Sequence, residues 1–109
     1  MKLLVAYIRP ECASNVMRAL YKAGMGGISA YEVRGLRAET KSFLYTQHPF
    51  ELYHLDEAVK LEAIVTDEAI DRMVSLIAEY ARTGEPGDGI IAVQEVNNLM
   101  RIRDIKQPS

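Results

Sequence analysis

The chain has 109 residues, a net charge of −2 and a single cysteine, Cys12. Its length fits one compact domain, and 49% hydrophobic with 26% charged residues is typical of a folded, soluble protein. The negative charge argues against sequence-independent nucleic-acid binding and against a polybasic membrane anchor. One cysteine excludes an intrachain disulfide, no apolar stretch reaches the roughly 18 residues of a membrane-spanning helix, and residues 1–10 do not resemble a secretion signal. We therefore expect a cytoplasmic protein.

The first part of the chain predicts a strand, a helix and a second strand. The apolar run over residues 2–9 is typical of a strand covered on both faces, and Pro10 ends it. Apolar residues then recur at helical spacing from Ala13 to Ala23, and Gly24 is placed to end this helix. Residues 28–34 return to a β-like composition that Gly35 closes.

Residues 36–57 differ from the rest because they lack a clean periodicity and mix charged with aromatic residues. We interpret them mostly as a loop. So long a loop in so small a domain is usually functional or disordered.

The second part of the chain predicts the same three elements again. Alternation over residues 58–65 indicates a half-buried strand. Thr66 is a candidate N-cap for a helix whose apolar stripe runs from Ile70 to Ala81 and which ends at Gly84. A turn-rich loop over residues 85–89 precedes a last strand over residues 90–96, and the tail from Asn97 is polar.

This order of elements predicts an α+β fold of the ferredoxin-like βαββαβ type, a split double βαβ with a four-stranded antiparallel sheet, as one domain over residues 1–109. The helices of such a fold cover one face of the sheet only. No remaining element of the chain could cover the other face, so we predict that another subunit covers it.

Two short motifs carry the chemistry. Gly87 and Gly89 flank Asp88 in a turn with little side-chain bulk, where backbone N–H groups can approach a phosphate. Arg101 and Arg103 stand two residues apart, and in an extended segment both guanidinium groups would point to the same side. Each motif alone is weak evidence, because such turns and such tail arginines are usually only solvated surface.

Together, ARTGEPGDGII at residues 81–91 and the segment 96–103, which ends MRIR, resemble the B-loop and the C-terminal segment of the PII signal-transduction family. Residues 2–10 and YEVRG at residues 31–35 also match in type. The resemblance implies a homotrimer that binds adenine nucleotides in three clefts between subunits and catalyses no reaction. It places a partner-binding T-loop at about residues 37–57, the B-loop at about residues 82–90 and the C-terminal segment at residues 97–109.

The resemblance also implies which residues bind the nucleotide. A hydroxyl residue near the adenine corresponds to Ser29, and the start of the T-loop lies over the phosphates. The residues at matching positions are Gly27, Ile28, Ser29, Gly35, Leu36, Arg37, Ile64, Gly87, Asp88, Gly89, Ile90, Arg101 and Arg103.

Several positions depart from the family pattern. Ala58, Glu85 and Ile90 stand where typical members have lysines, and Glu39 stands where a glutamine helps to hold Mg-ATP and 2-oxoglutarate. Fewer cations weaken Coulomb attraction most for the ligand with the most charge. We therefore expect ADP or AMP to be favoured over ATP, and 2-oxoglutarate to bind weakly or not at all.

The T-loop departs from the pattern as well. Glu51 occupies the place of the family's modified tyrosine, so uridylylation is not expected. The loop is unusually apolar, which favours docking of a partner such as a transporter or another regulator over the alternative that the loop packs onto the protein as a short helix. One branch of the family, associated with carboxysomes, is similar in pairing an adenine nucleotide with bicarbonate. Arg37 and Lys41 are the hypothetical anion site in that interpretation.

Three alternatives stay open at this point. A metal-binding trimer of the CutA type would need a ligand cluster, and His48, His54 and Glu51 form only a weak one. A standard nitrogen regulator would sense ATP and 2-oxoglutarate. An enzyme on the same fold would need a positioned nucleophile or base, and no such constellation is evident, with Cys12 interpreted as inert. We predict no catalytic residue and no metal site.

Overall fold

The computed structural model describes residues 1–36 and 55–108, and the order of its elements confirms the βαββαβ prediction. A single 3₁₀ turn follows the last strand, at Ile102–Asp104. The helices and strands, in chain order, are β1 (Lys2–Ile8), α1 (Pro10–Lys22), β2 (Ile28–Gly35), β3 (Asp56–Val65), α2 (Ile70–Ala81) and β4 (Gly89–Glu95).

The four strands form one sheet in the order β2-β3-β1-β4, and all neighbouring strands are antiparallel. The register places Leu4 of β1 between Ala63 of β3 and Val93 of β4. β1 and β3 are therefore the central strands. This arrangement is the predicted α+β, ferredoxin-like sheet.

The hydrophobic core lies between one face of the sheet and the two helices. Alternate residues of the central strands point into it, as the period of a strand requires. Val16 and Leu20 of α1 and Ile77 of α2 are completely buried against them. The predicted inward residues of β3 are confirmed as core residues, namely Val59, Leu61, Ala63 and Val65.

The opposite face of the sheet, which we call the open face, carries no helix of the described residues. It contains Tyr7 of β1, Tyr31 of β2 and Lys60 of β3, which the register places side by side. Tyr7 and Tyr31 remain 37% and 46% exposed. The prediction that β1 is covered on both faces is therefore wrong for the single chain, since its apolar run serves the core on one side only.

The boundary between the long loop and β3 also differs from the prediction. β3 begins at Asp56 rather than Ala58, because Asp56 and Glu57 pair with Gly35 and Arg34 at the end of β2. The Arg34 guanidinium donates a hydrogen bond of 2.7 Å to the Glu57 carboxylate. A cross-strand ion pair thus extends β3 into a polar stretch that has no hydrophobic alternation.

The predicted N-cap of α2 is wrong. The helix begins at Ile70, and Ala69 precedes it without a side-chain cap. Thr66 instead opens a turn in which its carbonyl accepts a hydrogen bond from the Ala69 N–H at 3.1 Å. The Asp67 carboxylate accepts a hydrogen bond of 2.9 Å from the N-terminal ammonium, and this contact lowers the pKa of Asp67. The acidic residue therefore ties down the start of β1 rather than the helix.

The two helices end differently. α1 ends as predicted, with Gly24 at φ 97° and its N–H bonded to the Tyr21 carbonyl at 3.0 Å. α2 was expected to reach Gly84, but it stops at Ala81 and Arg82 is extended. The cause is the loop that follows, whose first residues bind Asp88 rather than continue the helix.

Neither described helix has the length and hydropathy needed to cross a bilayer.

Candidate functional site

The glycine loop, which we define as residues 82–89 from the end of α2 to the first residue of β4, borders a cavity of about 670 Å³. The other walls are the adjoining ends of β2 and β3 and the open-face residue Tyr7 of β1. The cavity brings together these residues of the predicted nucleotide site: Gly35, Leu36, Gly87, Asp88, Gly89 and Ile90.

The Asp88 carboxylate organises the glycine loop from within. It accepts hydrogen bonds from the backbone N–H groups of Thr83, at 2.9 Å, and Gly84, at 3.0 Å. The Thr83 hydroxyl also donates to it and in turn accepts a hydrogen bond of 3.1 Å from the Glu85 N–H. These donors, the Thr83 hydroxyl first, hold the pKa of Asp88 well below its usual value of 3.8. The carboxylate thus shapes the loop that borders the cavity.

Lowering the pH is expected to remove the stabilisation that Asp88 provides. A carboxyl whose pKa is depressed by folding stabilises the protein fully above its unfolded pKa of about 4 and progressively less as the pH falls toward the folded value. The loss of melting temperature caused by Asp88→Asn should therefore be largest near neutral pH and shrink below about pH 4. Thermal melts at several pH values measure this, with Asp71→Asn as the control for one lost charge on α2. A pH-independent difference would contradict the assignment.

Arg9 contacts the glycine loop, and the sequence analysis did not include it among the candidate site residues. Its Nε donates to the Asp88 carboxylate at 3.3 Å and its Nη2 donates to the Pro86 carbonyl at 2.6 Å. Arg9 is separated from Asp88 by 79 positions, so no local motif links them. The strand order of the structure explains the contact, because β1 is central and Arg9, just beyond its end, lies beside the start of β4.

Gly89 enters β4 at a very close approach to β1. It pairs with Ile8 and has φ 114°. A Cβ atom at this position would lie 1.8 Å from the Tyr7 carbonyl oxygen. Gly87, at φ 93°, also adopts a backbone conformation that favours glycine. The glycines of the GDG motif are therefore required by the backbone path itself.

The walls of the cavity combine aromatic and apolar side chains with two cations, Arg34 and Lys60, and two carboxylates, Asp56 and Asp88. Ala58 and Ile90 line it without charge, and Ile90 is 65% exposed. Lys60 lies across Tyr7 and Tyr31, with its Nζ 5.9 Å and 5.8 Å from the two ring centroids. Its Nζ is 3.3 Å from the Glu62 carboxylate, and that hydrogen bond raises the pKa of Lys60. Lys60 is therefore charged, with Glu62 as its ion-pair partner.

A second group of predicted residues lies away from the glycine loop. Gly27, Ile28 and Ser29 are at the start of β2, whereas Gly35 is at its end. At strand spacing this separates Ser29 from Gly35 by roughly 20 Å. Ile64 is on the open face near the same end of the sheet as Ser29, which pairs with Glu62. Within one chain, these residues do not line the cavity.

The two arginines of the tail do not have the predicted arrangement. The segment is not extended, because Ile102–Asp104 form a 3₁₀ turn in which the Asp104 N–H donates to the Arg101 carbonyl at 2.9 Å. At three residues per turn, positions two apart do not share one side. Arg103 is 83% exposed and its Nε is 3.8 Å from the Asp104 carboxylate. Neither arginine lines the cavity of its own chain.

The remaining candidates of the sequence analysis lie outside the described residues. They are Arg37 and Lys41 of the anion hypothesis, Glu39, and the loop residues His48, Glu51 and His54. Within residues 1–36 and 55–108, no three His, Cys, Asp or Glu side chains are grouped to hold a metal ion. Cys12 is half-buried, and its Sγ lies 3.9 Å from the Ala81 carbonyl oxygen.

Comparison with known proteins identifies the family. A sequence model described as Nitrogen regulatory protein P-II matches residues 1–106. The chain is 38% identical over 106 residues to Nitrogen regulatory protein P-II 2 of Methanothermobacter thermautotrophicus, covering 94% of this chain and 90% of that protein. It is 38% identical over 104 residues to Nitrogen regulatory protein P-II of Pasteurella multocida, covering 94% and 92%.

The chain is 32% identical over 106 residues to Nitrogen regulatory protein P-II of Porphyra purpurea, covering 94% of this chain and 92% of that protein. The family consists of regulatory signalling proteins rather than enzymes, in agreement with the prediction that the chain is not an enzyme. The chain belongs to the P-II family of nitrogen regulatory, signal-transduction proteins.

Proposed function

We propose that this P-II protein binds adenine nucleotides in the clefts between the subunits of a homotrimer, with ADP or AMP favoured over ATP. Through the T-loop, about residues 37–57, it then regulates a partner protein. The observation that carries the proposal is the glycine loop, which is already shaped by Asp88 at the border of a large cavity.

The glycine loop supports the phosphate half of the site. Gly87 and Gly89 both have positive φ, so their backbone follows a path that most residues cannot adopt. Without side chains there, a phosphate can approach the main chain closely, as in other backbone anion sites. Since Asp88 already accepts several hydrogen bonds from the loop, its negative charge is partly compensated where the phosphates would lie.

The distribution of the remaining predicted residues supports clefts between subunits. Ser29 lies roughly 20 Å from Gly35 at the end of β2 that lines the cavity, and Ile64 lies near the same end of the sheet as Ser29. Arg101 and Arg103 lie in an exposed tail. Neighbouring protomers that packed open face to open face could supply these groups to one another's cavities. The tail also exposes apolar Ile102 at 88%, which such packing would cover.

The preference for ADP or AMP follows from charge. Ala58 and Ile90 line the cavity where typical members of the family have lysines. Two cations still line the cavity, Arg34 and Lys60. Arg34 is already paired with Glu57, and Lys60 with Glu62. ATP carries more negative charge than ADP or AMP, so it loses the most attraction when cations are missing. The same loss underlies weak binding of 2-oxoglutarate.

We further propose bicarbonate as a second effector, bound by Arg37 and Lys41 beside the nucleotide. Both residues are cations near the start of the T-loop: Arg37 directly follows Leu36, which lines the cavity, and Lys41 comes four positions later in the sequence. An anion there would report nucleotide occupancy to the loop that contacts the partner. The partner itself is a protein such as a transporter or a regulator.

Isothermal titration of the purified chain with AMP, ADP and Mg-ATP tests the ligand preference. We expect ADP and AMP to bind more tightly than ATP, and 2-oxoglutarate to leave ATP affinity unchanged. ATP binding that is tight and enhanced by 2-oxoglutarate would instead establish the standard nitrogen regulator. If bicarbonate does not change ADP affinity, the second-effector proposal fails.

Light scattering coupled to size exclusion tests the assembly, and thermal shift tests the class of ligand. A trimer stabilised by ADP or AMP supports the proposal. Stabilisation by Cu or Zn alone would favour the metal-binding alternative. A monomer that is indifferent to AMP, ADP and ATP would overturn the proposed function as a whole.

A further inference from the structure

We infer that Arg9 is the positioning residue of the glycine loop: it ties the loop to the end of β1 and so places the backbone around Gly87 for phosphate binding. The inference rests on the proposed function, since it concerns the same site. Arg9 contacts the loop residues Asp88 and Pro86, and is not itself among the residues that line the cavity.

Arg9 is a firm anchor because its own backbone is held on both sides. Ile8 before it pairs with Val59 and Gly89 in the sheet, and Pro10 after it is the first residue of α1. The Arg9 carbonyl accepts a hydrogen bond of 3.0 Å from the Cys12 N–H. The Arg9 side chain is only 22% exposed, so the protein around it restricts its movement.

The guanidinium holds the loop at two points, on either side of Gly87. Nε donates to the Asp88 carboxylate at 3.3 Å and Nη2 donates to the Pro86 carbonyl at 2.6 Å. A planar guanidinium with several fixed donors suits two acceptors at once, and hydrogen bonds that involve charged groups are stronger than neutral ones. The residue between the two contacts is the one expected to approach a phosphate.

The other contacts of Asp88 do not fix the position of the glycine loop relative to the sheet. Its bonds to the N–H groups of Thr83 and Gly84 join residues of the same loop, so they define the loop's shape but not its place on the protein. The pairing of Gly89 with Ile8 fixes only the point where the loop enters β4. Arg9 supplies a link between the middle of the loop and the end of β1.

The variants Arg9→Met and Arg9→Lys test this role, with Arg18→Met as the matched control. Arg18 lies on α1, is exposed, and its Nη1 donates to the Asn15 side chain at 3.3 Å, remote from the loop. In the ligand-free protein, we expect amide hydrogen exchange in residues 83–88 to be at least about tenfold faster in Arg9→Met than in the wild type. Arg18→Met should exchange like the wild type.

Titration with ADP should follow the exchange data. We expect at least about tenfold weaker binding in Arg9→Met, an intermediate loss in Arg9→Lys, and no change in Arg18→Met. A lysine keeps the positive charge, but its single ammonium does not reproduce the two guanidinium hydrogen bonds to Asp88 and Pro86. Full wild-type affinity in Arg9→Lys would mean that charge alone matters and would overturn the positioning role.

A double-mutant cycle with Asp88→Asn separates positioning from a general effect on stability. If Arg9 acts through Asp88, the double variant Arg9→Met/Asp88→Asn binds ADP within about twofold of the weaker single variant. If the losses of ADP affinity in the two single variants instead multiply in the double variant, the inference is overturned. A merely structural role would lower the melting temperature yet leave the ADP affinity of the folded protein unchanged, which also overturns it.

The failures can be told apart. If the wild type binds no adenine nucleotide, the proposed function fails and this inference fails with it. If the wild type binds ADP and Arg9→Met binds it equally well, only the inference fails. Should Arg9→Met not fold, Arg9→Lys carries the comparison, and wild-type exchange and affinity in that variant overturn the role of Arg9.

Discussion

Gly89→Ala is expected to lower the free energy of unfolding by at least about 3 kcal/mol. The new Cβ would lie 1.8 Å from the Tyr7 carbonyl oxygen and 2.9 Å from its carbonyl carbon. Both atoms belong to the backbone of β1, the central strand that pairs with β3 and β4. Relief of the clash therefore requires β4 to separate from β1, which also displaces the glycine loop.

Two matched glycine variants separate the clash from the effect of backbone conformation. Gly84 has φ 89° with nothing within 4 Å of its added Cβ, so Gly84→Ala should cost about 1 kcal/mol. Gly26 has open space and no positive φ, so Gly26→Ala should change stability by less than about 0.5 kcal/mol. Urea denaturation at one fixed protein concentration measures all three, because any assembly makes stability depend on concentration. If Gly89→Ala is as stable as Gly84→Ala, the close approach of Gly89 to the Tyr7 carbonyl is contradicted.

Restoring the missing cations should reverse the proposed nucleotide preference. Ala58→Lys and Ile90→Lys place an ammonium on two walls of the same cavity. Ile90 is 65% exposed, which leaves room for the longer side chain. We expect each lysine to raise ATP affinity about tenfold, which corresponds to about 1.4 kcal/mol, with a smaller gain for ADP and the smallest for AMP.

The control for the lysine variants adds one positive charge at a surface position outside the cavity. Tyr21→Lys adds a cation on α1 at a side chain that is 73% exposed and is not part of the cavity. Isothermal titration of the three nucleotides at two salt concentrations measures the gain, which should shrink at the higher salt because exposed charges are screened. Equal gains for AMP and ATP, or an equal gain in Tyr21→Lys, would contradict the charge argument.

The elements that could be predicted from the sequence are those whose signal repeats along the chain. The alternation of β3 and the helical spacing of α1 each involve several residues that must face one core, so a single exception does not erase the pattern. The same is true of the apolar stripe of α2. The fold class followed from their order, since few topologies accommodate two βαβ units in one sheet.

Single-residue signals were less reliable, because tertiary contacts compete for the same groups. Thr66 has the chemistry of an N-cap, but the neighbouring Asp67 binds the N-terminal ammonium and the chain turns there instead. Gly84 has the chemistry of a helix end, but its N–H binds Asp88 and α2 stops earlier. The groups that form these alternative hydrogen bonds are distant in sequence or belong to a different element, and residue propensities do not account for them.

For the candidate site, the amino-acid sequence by itself determined the glycine positions, the absence of lysine at Ala58 and Ile90, and the family. A glycine motif is local, because positive φ is a property of one residue and its neighbours. Only the tertiary structure decided that Arg9 holds the glycine loop, that Asp88 turns inward to shape it, and that Arg101 and Arg103 lie away from the cavity of their own chain. These facts depend on which strand ends meet in space, and contacts across 79 positions leave no periodic trace in the chain.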